Sequence, residues 1–245
     1  MASVPSTVRS EGILGLRDEM RKVPDMNIKL SLFAGCVGSL VLAGTATADY
    51  TGLSYEIAAV DGVADTWTAR IYANFSDAND QLNAVYGDAD NPMLVTSSGG
   101  FYQNAFGGNT SGAINPALYA AFPSLVYDSW ATIGLEDNVG NAMGDIGIDW
   151  SDFEAGGSIA TDNGTWFTTP ADAQSLAGAG MRVMIAQLTT MGHDSVISGH
   201  VSLQGKTAAG DTWVSLNDQF AYALPAPGAL ALLGLAGVAG RRRRA

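Results

Sequence analysis

Between Thr66 and Phe75 apolar and polar positions alternate. Trp67, Ala69, Ile71, Ala73 and Phe75 share one parity; Thr66, Thr68, Arg70, Tyr72 and Asn74 share the other. A period of two sends the first set to one face of a β-strand and the second to the opposite face. Apolar-rich runs recur at 53–60, 81–86, 93–96, 125–135, 182–189, 195–203 and 212–223. Turn-forming clusters lie between them: Asp61-Gly62, Ser98-Gly99-Gly100, Gly107-Gly108-Asn109, Asp162-Asn163-Gly164 and Ala209-Gly210-Asp211. Asn163-Gly164 predicts a type I′ hairpin, because both residues tolerate positive φ. Roughly eight to ten short strands joined by Gly/Asn turns predict an all-β domain, an antiparallel β-sandwich of the jelly-roll kind. Two short helical turns are expected within it. Asn115 caps one, with Pro116 at its first position and residues 117–121 following. The other opens at Thr169-Pro170-Ala171-Asp172. Residues 98–115, rich in Gly, Ser, Asn and Thr, are expected to form a surface loop.

The pattern changes at the C-terminus. Pro225-Ala226-Pro227-Gly228 leads into an apolar run, 229–240, which ends in Arg241, Arg242, Arg243 and Arg244. The prolines stop a helix from running back into the preceding strand. In lipid a segment must satisfy its own backbone groups, so the run predicts a transmembrane helix over 228–240. That helix is shorter than the roughly 20 residues that usually span a bilayer. Four arginines resist translocation, which keeps the extreme C-terminus cytoplasmic and the bulk of the chain outside.

The front of the chain agrees with export. Met26-Asn27-Ile28-Lys29 is a short cationic lead, 30–42 is an apolar core, and Ala46-Thr47-Ala48 fits an A-x-A cleavage site. A signal peptide cut after Ala48 leaves a mature chain that begins at Asp49. Residues 1–25 are polar; they are either an extended lead or translation upstream of a start at Met26. Cys36 is the one cysteine and lies inside the apolar core. Phe33-Ala34-Gly35-Cys36 matches a lipobox poorly, so lipidation is not expected. The mature chain then has no cysteine for a disulfide, a thiol nucleophile or a thiolate metal site. Three segments result: 1–48, extension and signal peptide; 49–224, the exported β domain; 225–245, the sorting tail.

The tail resembles the PEP-CTERM sorting signal of exosortase-processed proteins. That family has a Pro-Glu-Pro-Gly-like box, a short apolar helix and a terminal arginine cluster. The matching residues are Pro225, Pro227 and Gly228, then 229–237, then Arg241 to Arg244. Ala226 departs from the pattern, standing where the family usually has Glu. The resemblance implies a Gram-negative, exopolysaccharide-producing host and a membrane-embedded exosortase that cuts near the proline box. It implies as partners the export machinery, that exosortase and, transiently, the inner membrane, with the cell envelope or the extracellular space as destination. Segments 80–85, 128–134 and 183–189 resemble an exported domain of unknown role, which brings no catalytic residues.

Charge sharpens the exclusions. The whole chain carries −12, but the segment 49–224 holds 20 acidic residues against Arg70, Arg182 and Lys206, near −17. Such a surface repels phosphate backbones and excludes nucleic acid. It tolerates cations and keeps the domain soluble.

Four kinds of chemistry are conceivable for the domain. Asp77, Asp80, Asp88 and Asp90 form one acidic cluster; Asp145, Asp149, Asp152 and Glu154 form another around Trp150. Asp-rich loops supply the oxygen ligands calcium needs, although neither cluster has the EF-hand spacing. Solubility alone accounts for such loops equally well. His193 and His200 bracket six residues, which does not bring both to one metal, and no Gly-x-Ser-x-Gly elbow is present. A hydrolase would need two close carboxylates or a His beside a Ser. Sugar binding would need exposed rings. Trp67 and Trp130 are expected in the core, and Trp166, after Asn163-Gly164-Thr165, is the candidate glycan contact. The expected role is non-enzymatic: an exported envelope or matrix protein. A polysaccharide-binding module, with or without calcium, and a secreted hydrolase are the alternatives.

Overall fold

The computed structural model describes residues 50–58, 63 and 65–224. The signal peptide with Cys36, the sorting tail and the Asp61-Gly62 turn lie outside the described residues. The first strands in chain order are β1 (Tyr50–Ala58), β2 (Thr66–Phe75), β3 (Gln81–Gly87), β4 (Met93–Ser97), β5 (Trp130–Ala131) and β6 (Gly144–Ile146). A single helical turn, α1 (Ser151–Glu154), precedes β7 (Ile159–Thr161), β8 (Gly164–Phe167), β9 (Arg182–Met191), β10 (Val196–Lys206) and β11 (Thr212–Ala223). Among the described residues the protein is all-β and antiparallel, as the alternation predicts. No helix among them is long and apolar enough to cross a membrane.

Two sheets form. The first is four-stranded, in the order β1-β2-β9-β5. The second is seven-stranded and organised around β10. One edge of β10 pairs with β11 from Val196↔Ala223 to Lys206↔Thr212. Its other edge is shared: β3 takes Ser202 to Lys206 and β4 takes Ile197 to His200. β3 and β4 therefore act as one strand interrupted by the 88–92 loop. The next row repeats the device, with β8 on β3, β7 on β4, and β6 outside β8.

That repetition corrects the expected hairpin at Asn163-Gly164. β7 and β8 do not pair with each other: β7 lies on β4, while β8 is held between β3 and β6. Neither Asn163 nor Gly164 takes positive φ, so no type I′ turn forms. Gly164 is needed for space instead. A Cβ there would meet Gly147 O at 2.6 Å and Thr161 Oγ1 at 2.7 Å.

The core lies between the sheets. All five residues on the apolar parity of β2 are buried in it, together with Leu82, Val85, Met93 and Val95 from β3 and β4, and Ile197, Val201 and Leu203 from β10. The polar parity of β2 is partly buried too, which alternation alone does not foretell. Tyr72 joins Ile114, Leu125, Trp130 and Met184 in a second cluster, flanked by Leu118, Tyr119 and Phe122. The irregular segment between β4 and β5 thus covers the outer face of the first sheet.

This layer changes two expectations. Residues 98–115 are not simply a surface loop: Phe101, Ser111 and Ile114 are buried. Phe101 bridges to Thr190 and Thr110 to Ala131. The run 125–135 does not make a long strand. A 3₁₀ turn over Pro123–Tyr127 precedes the two-residue β5. Proline at the start of that turn favours it, and apolar content without clear alternation does not distinguish a buried turn from a strand. The expected turn at Asn115 is present as a 3₁₀ helix, Pro116–Leu118, with the Asn115 side chain accepting from Ala117 N. The second expected turn appears as a 3₁₀ helix over Ala173–Ser175, with Asp172 at its N-cap.

Candidate functional site

The outer face of the β10 sheet carries the candidate site, and strand register builds it. Gln204 faces Ala84 on one side and Val214 on the other, and Ala84 faces Phe167. One step along, Ser202 faces Tyr86, Tyr86 faces Thr165, and Thr165 faces Ile146. Further on, His200 lies between Leu94 and Gln219, and Leu94 faces Ala160. These residues alternate in sequence with the core set, so the pleat that buries Val85, Trp166, Val201 and Leu203 turns them outward, except that Ser202 stays buried with its Oγ accepting from Asn217 N at 3.2 Å.

The resulting surface is mostly aromatic, aliphatic, amide and hydroxyl, with the His200 imidazole along β10 and the Lys206 ammonium at its end, donating to Thr212 Oγ1 at 2.8 Å. Phe167, Ile146, Val214 and Leu216 are exposed on it. None of its outward strand positions is Asp or Glu. Two open depressions mark it. One, of about 440 Å³, lies among Tyr86, Asp88, Asn163, Thr165 and Gln204. The other, also about 440 Å³, lies among Leu94, Thr96, Ser198, His200 and Gln219. Asp88 stands at the rim of the first, with Oδ1 occupied by the N–H groups of Asp90 (2.9 Å) and Asn91 (2.7 Å). Burial, and then the Asp88 charge, raise the Tyr86 hydroxyl above its ordinary pKa, so it stays a neutral donor.

The other exposed chemistry lies on the first sheet, where arginines meet glutamates. Arg70 forms a two-point pair with Glu136, at 3.1 and 2.8 Å, and also donates to Gln187 at 3.1 Å. Arg182 donates to Glu56 at 2.7 Å and lies 3.9 Å over the Tyr72 ring. The hydrogen bond from Arg182 holds Glu56 below the usual carboxylate range. Each guanidinium is thereby neutralised by a neighbour. Exposed pairs of this kind contribute about 0.2–1 kcal/mol each, and they leave little field to recruit an anion.

Asp128 is the deeply buried acid with a distinctive shell. Its Oδ1 accepts from Asn104 N at 2.6 Å and its Oδ2 from Gly108 N at 3.0 Å. Burial pushes its pKa up to about 6, against the pull of those N–H groups. Gly107 passes so close to this carboxylate that any side chain there would overlap it. Buried and held by two backbone N–H groups, it is an internal anchor for the loop.

The acidic clusters do not converge. Asp77 and Asp80 sit before β3 and Asp88 and Asp90 after it, so a strand about 20 Å long separates the two halves. Asp77 caps its own turn through Asn79 N, and buried Asp80 holds Ala208 N at 2.9 Å. In the second cluster Asp145 accepts from Trp150 Nε1 at 3.0 Å, Asp149 from Ser151 N, and Asp152 from Ser158 N; Glu154 is exposed at the end of α1. Hydrogen bonds from Ser151 hold Asp149 below the ordinary carboxylate range. Among the described residues no three His, Cys, Asp or Glu side chains are placed to hold one metal ion.

Trp166 is a correction. The ring expected at the surface is 1% exposed, and its Nε1 donates to Thr132 O at 3.1 Å. The strand begins at Gly164, so parity points Thr165 and Phe167 outward and Trp166 into the core. Trp67, Trp130 and Trp150 are buried as well, and Trp213 is half-buried with Nε1 on Gln81 O. The rings on this face are instead the exposed Phe167 and the half-buried Tyr86, legible in principle as the outward parity of 81–86 and 164–167. His200 and Ser198 share a depression, but no hydrogen bond joins them among the described residues, and no outward carboxylate of the sheet orients the imidazole.

The fold and its open face define an all-β protein built from antiparallel sheets with one polar-aromatic surface. No protein-family model matches the chain, and no curated protein or solved structure matches it.

Proposed function

We propose that this chain is an exported protein of the cell envelope or extracellular matrix, sorted by a PEP-CTERM-type tail. The observation that carries this reading is the order at the C-terminus: Pro225-Ala226-Pro227-Gly228, the apolar run 229–240, and Arg241 to Arg244. The physical sequence is transit in two steps. The apolar core at 30–42 engages the export channel and is cut off after Ala48. The tail then halts in the inner membrane with its arginines inside and its proline box outside, within reach of an exosortase.

The domain boundaries support the scheme. β1 begins at Tyr50, two residues past the expected cut, and β11 ends at Ala223, two residues before the proline box. Among the described residues the strands run from Tyr50 to Ala223, inside the 49–224 segment expected between the two targeting segments. Its role is structural or adhesive rather than catalytic, in keeping with scattered carboxylates that serve as turn caps.

Mass spectrometry of both ends of the protein, taken from the cells that make it, tests the scheme. An N-terminus at Asp49 and a C-terminus trimmed near Pro225 are expected. Intact ends on the mature protein would overturn it, as would an unchanged distribution of a chain truncated after Leu224.

A further inference from the structure

We propose that the outer face of the β10 sheet binds an uncharged polysaccharide chain, seated over Tyr86 and running along β10 past Gln204 and His200. The inference concerns ligand chemistry and does not depend on the route of export.

Charge distribution is the first ground. The segment 49–224 carries 20 acids. If they were spread evenly, several would fall on the largest sheet surface. The outward strand positions there carry none. A cation or a basic partner would find its attraction at the acidic turns, of which the Asp88 turn touches this face only at the rim of the first depression. An anionic polymer would be repelled by a domain near −17. A neutral ligand rich in hydroxyls meets no unfavourable field, and the carboxylate lining the first depression, Asp88, stands at its rim with Oδ1 already held by the N–H groups of Asp90 and Asn91.

The second ground is the side-chain set. Sugar rings present C–H faces and a hydroxyl rim. Tyr86 and Phe167 offer rings for the C–H faces, and Ile146 extends the apolar floor. Gln204, Thr165, His200 and Gln219 offer donors and acceptors for the rim. Few polar groups placed around an apolar floor is the usual composition of a small-molecule site.

Shape supplies the third ground. The two depressions are strung along one strand. Gln204 lines the first and His200 the second, four residues apart, or about 13 Å on a β-strand. Both are open, so a linear chain can pass through them without an end being enclosed. A compact ligand would use only one.

Affinity electrophoresis of the full-length chain in a zwitterionic detergent tests the proposal. Gels contain hydroxyethylcellulose, galactomannan, dextran or the anionic polymer alginate. Retardation is expected by at least one neutral polymer and not by alginate. Gln204→Ala and Tyr86→Ala should each weaken the retarding interaction at least tenfold, with unchanged circular dichroism. Phe106→Ala, on the loop side of the molecule, should leave it unaltered. The proposal is overturned if no neutral polymer retards the chain, if alginate retards it equally, or if both face variants bind as tightly as the parent. It is also overturned if sedimentation shows a dimer that Leu216→Asp dissolves, because a second copy would then occupy the face.

Discussion

The ring of Tyr55 stacks on the ring of Tyr222, with centroids 4.0 Å apart and 23° between planes. Tyr55 belongs to the edge strand β1 of one sheet and Tyr222 to the edge strand β11 of the other. No ladder joins these strands. At their other ends Tyr50 stacks on Trp213 at 5.3 Å. The early residue of β1 meets the early residue of β11, and late meets late, so the two edges run in the same direction. Aromatic contacts close this side of the core where no backbone ladder does. Burial pushes the Tyr222 hydroxyl up to about 12, with the neighbouring Tyr55 adding to the effect.

A double-mutant cycle measures that closure. Tyr55→Ala and Tyr222→Ala are each expected to destabilise the domain, with a coupling of about 0.5–1.5 kcal/mol beyond the separate losses of buried area. Urea unfolding of the four proteins gives the value. Strict additivity would mean that the stack does not hold the sheets together.

The buried Asp128 sets a pH dependence whose sign is opposite to that of a typical paired carboxylate. Its folded pKa, about 6, lies above the ordinary value near 3.9. Between roughly pH 4 and 6 the folded state keeps a proton that the unfolded chain has released. This group therefore favours the fold most below that window, and its contribution declines as pH rises through it, by roughly 3 kcal/mol in all. Asp128→Asn removes the titration. The stability of the parent minus that of the variant, from denaturant melts at each pH, should fall from pH 4 to pH 6 and then level off. Taking the difference cancels groups such as Glu56, whose depressed pKa works in the other direction.

Gly164→Ala tests the close passage of β8 and the Gly147 turn. The new methyl would press on a backbone carbonyl, which cannot rotate away like a side chain. A loss of about 1–3 kcal/mol is expected. The same change at Gly210 meets open space but forces alanine to a φ of 90°, so its cost arises from backbone strain instead.

Trp166→Phe leaves Thr132 O without its indole donor. The loss is expected to be about 1–3 kcal/mol. Trp166→Ala should cost about 3–5 kcal/mol, as for other large aromatics cut out of a core. Retardation by a neutral polysaccharide should persist in Trp166→Phe, because the ring does not reach the outer face.

Much of this architecture is legible along the chain. The alternation of β2 identifies its five core residues, and the bounds of β2 and β11 coincide with the apolar-rich runs. The Asn115 cap is legible because an Asx side chain before proline acts within two residues of itself. The short strands β6, β7 and β8 are not legible. Three or four residues hold too few periods to distinguish a strand from a loop, and their pairing comes from β3 and β4, far away in sequence. The candidate surface was missed for a related reason. Tyr86, Phe167 and Gln204 become neighbours only through two separate ladders, which no local pattern encodes.

The sequence by itself determined the β class, the inward parity of the long strands, the local caps, and the charge and apolar pattern of the two ends. These depend on neighbours a few residues apart, where geometry is set by the backbone repeat. Tertiary structure alone decided that the outer face of one sheet is roofed by the 98–127 segment while the other stays open. It also decided that Trp166 turns inward, and that the acids disperse into separate turns. Those outcomes rest on which strand edges meet across the chain. The competition for ladder partners and buried area is settled only when the two sheets close on a shared core.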